Sequence, residues 1–480
     1  MSAGLNAAQL EAVNHVHGPS LVLAGAGSGK TRVITHKIAH LMDGGMSPSR
    51  IAAITFTNKA AAEMRERAKQ LAGKRAAEVL ICTFHALGVR MLRQQGSYVG
   101  LKEQFSILDS DDVTKIMKDC GGSTDNATAR QWQWAISAWK NQGLNSEQAL
   151  AIAANEEERA CAVIMARYEE RLAAYQSVDF DDLISLPLKL LREHDAVRQH
   201  WQQQLGHVLV DEYQDTNATQ YELLKLLVGE RGRLTAVGDD DQSIYGWRGA
   251  DVSKILGFER SFPGAKVVKL ETNYRSTAQI LGAANRVIKN NPNRHDKALR
   301  SALGDGEPLM AVTMRDESVE AEKVVAEIKH LVSQGHAYSD FAILFRTAVQ
   351  PRPFEAELRM KEVPYVLVGG MSFFDRKEVR DVLAYLRVVA NPRDEASLLR
   401  IVNSPPRGVG KTTLDRVLDG LDPPHRGISG ALDASIDEHR DLRGGPRRVE
   451  CRAEIVHPPL PVAAFMRARR RSVMSKASDE

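Results

Sequence analysis

A short glycine-rich stretch near the start of the chain carries the clearest chemical signal. The apolar run Leu21–Leu23 leads into it, and Arg32–Ile38 follows with helical character. A strand, a glycine-rich turn and Lys-Thr at a helix start are typical of a phosphate-binding loop, because small residues let successive backbone N–H groups surround a phosphate. The expected nucleotide-binding residues are Ala24, Gly25, Ala26, Gly27, Ser28, Gly29, Lys30 and Thr31.

Two residues of this loop have predicted roles in charge neutralisation. Lys30 is expected to reach the outer phosphates, and the Thr31 hydroxyl is expected to hold Mg²⁺. Ala24 stands where the usual pattern has its first glycine, a small substitution that keeps the loop narrow.

Adjacent carboxylates follow a second apolar run, 207–210. Asp211 is expected to complete the Mg²⁺ shell, and Glu212 to orient and deprotonate an attacking water. An acidic loop after a strand is the alternative interpretation.

A later segment mixes a polar amide with aromatic and guanidinium groups. Gln242 is a candidate sensor of a γ-phosphate, and Tyr245, Trp247 and Arg248 follow within six residues. Interleaved planar groups of this kind suit stacking on single-stranded bases, at about 1–3 kcal/mol per base. The segment predicts coupling between nucleotide hydrolysis and movement along a strand.

Three further residues are candidates for the nucleotide site. Arg275 is a cation that could stabilise the charge developing during phosphoryl transfer, and Tyr274 is a candidate lid over adenine. Gln9 lies on a short amphipathic helix with Asn6 as its cap. Periodicity favours a solvated Gln9, and a base-reading role stays open.

The elements that must position these residues form a repeating pattern. Apolar strand patterns at 51–56, 79–85, 207–210, 234–237 and 267–270 alternate with helical patterns. This predicts an α/β fold with a doubly wound parallel sheet and function at the carboxyl ends of its strands. Phe56, Asn58 and His85 fall at such ends, where they suit base stacking or phosphate binding; core packing and helix capping are the alternative.

The rest of the chain divides into further regions. Residues from about 90 to 200 predict a helical insertion, in which Asp179–Asp182 is typical of a helix start, with metal binding as the weaker alternative. A second α/β unit is expected, with helices at 317–333 and 377–389 and strands at 341–345 and 363–368. Gly408–Thr413 mimics a phosphate loop but lacks a preceding strand, and predicts a turn starting a helix at Thr412.

Composition bounds the class of protein. With 480 residues, 43% hydrophobic and 26% charged, the chain predicts about three domains of a soluble protein. No apolar run approaches the ~20 residues of a membrane span. Four unpaired cysteines indicate neither a zinc site nor disulfides, which suits the cytoplasm. A net charge of +3 means that a polyanion would need a local groove.

Taken together, the motifs resemble those of the superfamily-one DNA helicases of the Rep, UvrD and PcrA type. The resemblance extends from residue 1 to about 420, and its last part is more similar to Rep than to UvrD. The matching segments, in order, are LNAAQLEAV, AGAGSGKT, TFTNKAAAEM, TFH, VDEYQDTN, VGDDDQSIYGWRGA, NYRST, FAILFRTAVQ, VGGMSFFDRKEVRDVLAYLRVVANPRD and LLRIVNSPPRGVG.

The resemblance implies ATP-driven 3′-to-5′ movement on single-stranded DNA by two RecA-like motor domains, each with a helical insertion. It implies ATP and Mg²⁺ as cofactors, 3′-tailed duplex DNA as a substrate, and leaves open a homodimer on DNA and unidentified replication or repair partners. By motif, Gln9 would read adenine, flanked by Arg32 and Tyr274. Gln242 and Arg275 would sense the γ-phosphate. The residues along the DNA would be Phe56, Asn58, His85, Tyr245, Trp247 and Arg248.

The implied domains follow the motifs. The first motor domain would comprise 1–90 and 202–277, with its helical insertion at 91–201. The second motor domain would begin at 278–376, and its own insertion at 377–420. An atypical tail, 421–480, would be disordered.

The end of the sequence departs from the family pattern. A threonine-histidine DNA motif and a late arginine-rich motif with a second arginine finger, both expected, are not found. The last 60 residues hold ten arginines, one lysine and six of the 18 prolines. We expect a shifted reading frame or an abnormal gene end; a basic DNA-binding tail built on Arg467 and Arg469–Arg471 is the alternative.

Two functions of different class follow from this sequence. The first is an ATP-dependent DNA helicase; the second is a remnant that binds nucleotide or DNA without unwinding. A small-molecule kinase is disfavoured, because an acceptor pocket would leave the Tyr245–Arg248 segment unexplained.

Replacing the expected base tests the hydrolysis hypothesis. Glu212→Gln should keep ATP binding and abolish hydrolysis, because an amide cannot accept the proton of the attacking water. Steady-state phosphate release and equilibrium ATP binding measure the two effects. Unchanged turnover in the variant would remove the assignment of Glu212 as the base.

Overall fold

The computed structural model describes residues 4–368, 377–391, 394–402 and 404–405. These residues divide into two compact units. One comprises the described residues of 4–306 and those from Ala384 onward, and the other comprises the described residues of Glu307–Leu383. The domain boundaries expected from the motifs remain predictions.

The first unit is built on a parallel sheet. Its six strands lie in the order β3-β2-β6-β7-β1-β8, and every pairing is parallel. The predicted doubly wound α/β fold is confirmed. The strands, in chain order, are β1 (Ser20–Ala24), β2 (Ile51–Thr55), β3 (Leu80–Thr83), β4 (Ser106–Ile107), β5 (Ser177–Val178), β6 (His207–Val210), β7 (Leu234–Gly238), β8 (Lys266–Leu270), β9 (Thr272–Asn273) and β10 (Arg300–Ser301).

Helices connect and cover these strands. They are α1 (Ala7–Asn14), α2 (Lys30–Asp43), α3 (Asn58–Ala72), α4 (Phe84–Gln95), α5 (Ser110–Gly121), α6 (Asn126–Asn141), α7 (Ser146–Ile152), α8 (Glu156–Ala174), α9 (Asp182–Glu193), α10 (Asp195–Gln204), α11 (Ala218–Val228), α12 (Ser253–Leu256), α13 (Phe258–Ser261), α14 (Ala278–Ile288), α15 (Glu317–Ser333), α16 (Pro351–Met360), α17 (Lys377–Ala390) and α18 (Glu395–Ile401).

Two apolar cores lie on opposite faces of the sheet. In β1, Leu21 and Leu23 join the core that contains Trp201, whereas Val22 and Ala24 join the other. Successive side chains of a strand point to opposite faces, so one continuous apolar run serves both cores. Burial of each large aliphatic side chain contributes roughly 1.5–3 kcal/mol. This sheet is therefore a rigid platform for the loops at its carboxyl edge.

The predicted helical insertion is confirmed, with one addition. Helices α5, α6 and α8 share a core with side chains of α17 and α18. Strands β4 and β5 also pair in parallel, Ser106 with Ser177 and Ile107 with Val178. Two residues per strand are too few for a period-2 pattern to indicate them from sequence.

In the second unit, α15 and α16 pack around Val325, Leu358 and Val363. The predicted helix 317–333 is confirmed, but the predicted strands at 341–345 and 363–368 are wrong for the described residues. Neither segment pairs as a strand, and Leu344 and Val366 are 92% and 86% exposed. An apolar run becomes a strand only where a neighbouring backbone completes its hydrogen bonds.

Some predictions fall outside the described residues. They concern the Gly408–Thr413 turn, the helix at Thr412 and the 421–480 tail. Among the described helices, none has the length and apolar character needed to cross a bilayer.

Candidate functional site

The glycine-rich segment forms a tight loop between β1 and α2. Gly27 and Gly29 have φ values of 73° and 92°, in the region that favours glycine. The Ser28 hydroxyl donates to the Gly25 carbonyl at 2.7 Å. Because α2 begins at Lys30, the free N–H groups of its first turn face the space around this loop, as an anion site requires.

Five residues from three strand ends form a closed hydrogen-bonded ring, which passes through the Asp239 backbone N–H and which we call the Lys30 ring: Lys30, Glu212, Gln214, Asp239 and Gln242. Lys30 Nζ lies 2.8 Å from Glu212 Oε2 and 3.4 Å from Gln242 Oε1. Gln214 Nε2 donates to Glu212 Oε2 at 2.9 Å, and its Oε1 accepts the Asp239 N–H at 2.9 Å. Gln242 Nε2 donates to Asp239 Oδ2 at 2.5 Å and closes the ring.

The ring brings together predicted and unpredicted residues. Lys30 was expected to reach the outer phosphates, Glu212 to orient and deprotonate the attacking water, and Gln242 to sense the γ-phosphate. The ring places these three side chains in contact. Gln214 and Asp239 were missed, since nothing in their spacing marks them. A γ-phosphate bound here would contact the Lys30 ammonium and compete with the Glu212 carboxylate for that contact.

The strand end before Glu212 carries the expected metal ligand. Asp211 is 5% exposed, and burial, followed by the charge of Glu212, raises the pKa of Asp211 to about 6. Its Oδ1 accepts the Glu212 N–H at 3.0 Å, and Glu212 has a positive φ of 49°. Left-handed backbone at a non-glycine residue is costly and is concentrated at functional positions. The chain therefore turns sharply directly after β6, at Asp211 and Glu212.

The donor set suits a hard cation. Asp211 and Thr31 offer a carboxylate and a hydroxyl, and Mg²⁺ takes one or two protein oxygens beside water and substrate phosphates. No cluster of three or more His, Cys, Asp or Glu that could cage a metal occurs among the described residues.

The residues expected to contact adenine lie on α1 and next to it. Gln9 is fully buried, its Nε2 donates to the Ser28 carbonyl at 2.9 Å, and its Oε1 accepts the Asn6 N–H at 3.1 Å. The interpretation of Gln9 as a solvated residue is wrong, because this amide joins α1 to the phosphate loop. Asn6 Nδ2 donates to the Tyr274 hydroxyl at 2.9 Å. A Cβ at Gly4 would lie 2.6 Å from Arg32 Nη2, so Arg32 is close as well.

A second contact to the phosphate loop comes from the segment after β8. The Asn273 amide donates to the Ala26 carbonyl at 2.5 Å, and the Tyr274 N–H donates to the Gly27 carbonyl at 2.9 Å. A Cβ at Gly27 would lie 2.7 Å from Arg275 Cβ. The backbone of Arg275 thereby lies beside the loop, and its role toward a γ-phosphate stays a prediction. Asn273 is a positioning residue that the sequence did not indicate.

Aromatic groups line the ends of β2 and β3. The Phe56 ring packs edge-on against Phe84 at 5.4 Å, so Phe56 is partly a core residue. Asn58 is exposed at the start of α3. The His85 ring stacks on Phe180, with centroids 3.9 Å apart and planes at 27°. Phe180 is 60% exposed. The sequence did not indicate it as a stacking residue, because the acidic residues around it are typical of a helix start.

The loop after Gln242 presents planar groups outward. The Arg248 guanidinium carbon lies 4.7 Å from the Trp247 ring centroid and 5.6 Å from that of Tyr245. Trp247 is 68% exposed. The three side chains form a preassembled cation–π surface of the kind that accepts bases.

This surface is joined to the acidic segment. The Asp251 N–H donates to the Thr216 carbonyl at 3.0 Å, and Asn217 forms an isolated bridge with Ala250. Thr216 and Asn217 follow Asp211 by five and six residues. A shift of the acidic strand end would therefore be transmitted to the stacking loop.

The carboxylates of Asp179–Asp182 have a structural partner. Lys140 Nζ lies 2.7 Å from both Asp179 Oδ2 and Asp182 Oδ1, and the Tyr168 hydroxyl donates to Asp179 at 2.9 Å. The predicted helix start is confirmed, since α9 begins at Asp182. Ion pairing with the buried Lys140 accounts for Asp179 and Asp182, and Asp181 accepts a hydrogen bond from Asn141 Nδ2 at 3.1 Å.

Comparison with known proteins gives two consecutive family matches. The family described as UvrD/REP helicase N-terminal domain matches residues 5–263, and the UvrD-like helicase C-terminal domain matches residues 268–423. Over 420 residues the chain is 48% identical to the ATP-dependent DNA helicase Rep of Escherichia coli, covering 86% of this chain and 62% of that relative. Over 419 residues it is 43% identical to the ATP-dependent DNA helicase PcrA of Staphylococcus aureus, covering 86% and 57%. The chain thus spans less than two thirds of these relatives.

Stability should depend on pH through His85. Burial lowers the pKa of His85 from its ordinary 6.5 to about 4. The unfolded chain then binds a proton that the folded chain does not, so the free energy of unfolding falls as pH drops from about 6.5 to 4. His85→Phe keeps an aromatic ring against Phe180 and removes this titration. Urea denaturation at pH 7 and pH 5 should show a smaller loss for the variant than for the parent; equal losses would contradict the assignment.

Proposed function

Because this chain belongs to the UvrD/Rep helicase family, we propose that it is an ATP-driven motor that moves 3′ to 5′ on single-stranded DNA and unwinds duplex. The observation that carries the proposal is the Lys30 ring, which contacts the phosphate loop at Lys30. Its Gln242 lies three residues before the stacking surface of Tyr245, Trp247 and Arg248. Nucleotide chemistry and base contacts thus share one short segment.

In the proposed hydrolysis step, the phosphate loop holds ATP with its backbone N–H groups. Lys30 leaves Glu212 for the outer phosphates, and the freed Glu212 carboxylate orients a water and accepts its proton. Gln242 and Arg275 contact the γ-phosphate and stabilise the charge that develops there. Mg²⁺, held by Thr31 and Asp211, would neutralise phosphate charge when bound.

The base of the nucleotide is proposed to lie on the α1 side of the loop. Arg32 and Tyr274 would flank adenine, and Gln9 would read its edge. Asn6 supports this arrangement, because it caps α1 and its Nδ2 donates a hydrogen bond to the Tyr274 hydroxyl.

The DNA strand is proposed to run along the carboxyl edge of the sheet. Exposed aromatic faces and one guanidinium would stack on bases without reading their sequence. His85 is held neutral by burial, so its contribution is a stacked ring on Phe180, not a phosphate-binding cation. The proposed contacts are Phe56, Asn58, His85, Phe180, Tyr245, Trp247 and Arg248.

A second candidate is a chain that binds nucleotide and DNA without unwinding. It requires only the phosphate loop and the stacking surface, which both lie in the first compact unit. For both candidates the proposed setting is DNA replication or repair. They differ in one respect: only the first converts ATP hydrolysis into strand separation.

Unwinding separates the two candidates. The helicase proposal expects single-stranded DNA to stimulate ATP hydrolysis, and ATP to drive separation of a 3′-tailed duplex but not of a 5′-tailed one. A fluorescence strand-separation assay with both duplexes measures this. Stimulated hydrolysis without separation would support the second candidate, and the absence of stimulation would contradict the first.

The stacking surface can be tested by Trp247→Ala. Loss of one stacked base should weaken single-stranded DNA binding by about 1–3 kcal/mol, or roughly five- to 150-fold. Trp134→Ala is the matched control, because Trp134 is 71% exposed on α6 and belongs to none of the proposed contacts. Fluorescence anisotropy with a labelled oligonucleotide gives both affinities; equal effects of the two substitutions would refute the assigned surface.

A further inference from the structure

Three consecutive carboxylates at the end of β7 converge on one buried lysine. Lys297 Nζ lies 2.9 Å from Asp239 Oδ1, 2.6 Å from Asp240 Oδ1 and 2.8 Å from Asp241 Oδ2. The Lys297 side chain is 3% exposed. Arg294 adds a two-pronged contact to Asp241, at 2.8 and 2.7 Å. Buried carboxylates are tolerated only with such partners, so Lys297 is needed to compensate the charge of these three aspartates.

One of these carboxylates belongs to the Lys30 ring. Asp239 uses Oδ1 for Lys297 and Oδ2 for the Gln242 amide N–H, while its own N–H donates to Gln214. The orientation of the Gln242 amide follows from this. With its nitrogen on Asp239, its oxygen faces Lys30 Nζ. Lys297 therefore fixes, through Asp239, which end of the Gln242 amide faces the phosphate loop.

The segment that carries Lys297 also contacts the phosphate loop. It continues into β10, which pairs with β9, and Asn273 of β9 bonds the loop at Ala26. A Cβ at Gly25 would lie 2.5 Å from Leu299 Cδ2, so Leu299 packs directly on the loop. One short stretch, 294–301, thus touches both the loop and the carboxylates behind Gln242.

We propose that Lys297 is a positioning residue for recognition of the γ-phosphate, a role that rests on the ATP hydrolysis proposed above. It acts through Asp239 and Gln242 and does not touch nucleotide. Removing its charge leaves Asp239 Oδ1 without its cation and the carboxylate free to turn, so Gln242 loses the contact that orients its amide. Binding of ADP, which lacks the γ-phosphate, does not depend on that orientation.

The test compares ATPγS and ADP affinities, with kcat and KM for ATP, in Lys297→Met. The variant should keep the parent's ADP affinity, lose on the order of tenfold in its preference for ATPγS with a matching rise in KM for ATP, and lose on the order of tenfold or more in kcat. Lys297→Arg should restore most of the preference for ATPγS and most of kcat, because it returns a cation to the three carboxylates.

Arg294→Met is the matched control. It removes a cation from the same segment and the same cluster, but one that contacts Asp241 and not Asp239. It should leave the ATPγS preference and kcat within about twofold of the parent, well below the hundredfold that displaced reacting groups cost. Thermal melting of each variant establishes folding, and Lys297→Gln, which keeps N–H donors, replaces Lys297→Met if the latter does not melt cooperatively.

Two failures are distinguishable. A parent chain that binds ATPγS and ADP alike and does not hydrolyse ATP would contradict the proposed function and this inference with it. A parent that discriminates, beside a folded Lys297 variant that discriminates equally well, would overturn the inference alone. Equal losses in the Lys297 and Arg294 variants would also overturn it, since they would indicate a general structural effect.

Discussion

The Lys30 ammonium is the contact on which the rest of the site depends. It extends from the first residue of α2 and meets a carboxylate from the end of β6 and an amide from the segment after β7. In the sheet order, β6 and β7 are neighbours and β7 pairs with β1, so three adjacent strand ends deliver these groups to one point. A parallel sheet achieves this because all its carboxyl ends lie on the same edge. The phosphate loop can bind an anion, and the Lys30 ring contains the charged and polar side chains that would rearrange when the anion binds.

The same strand ends connect the ring to the stacking surface. Glu212 is followed by Thr216 and Asn217, which bond the chain just beyond Trp247 and Arg248, and Gln242 precedes that surface directly. Both ends of the aromatic loop are therefore anchored to elements that would contact phosphate. A bound nucleotide could therefore change the affinity of the stacking surface for bases, because the position of the Tyr245–Arg248 loop would depend on both the proposed nucleotide site and the proposed DNA site.

Local patterns in the sequence predicted the sheet, the phosphate loop and most of the charged site, because each depends on neighbouring residues. The apolar runs before Lys30 and Asp211 are strands, and helices begin where capping residues stand. Contacts between distant segments were beyond such patterns. Gln9 is buried only because Ser28 accepts its amide, and Lys297 matters only because Asp239 lies beside it. The segments at 341–345 and 363–368 show the converse: an apolar run alone does not determine pairing.

The proposed nucleotide and DNA sites are expected to be energetically coupled through the Lys30 ring. The most direct measurement is the affinity of the chain for a labelled single-stranded oligonucleotide with saturating ATPγS and with saturating ADP. The account predicts that the two affinities differ by at least about fivefold, the lower end of typical coupling between two sites. Equal affinities in the presence of the two nucleotides would contradict it.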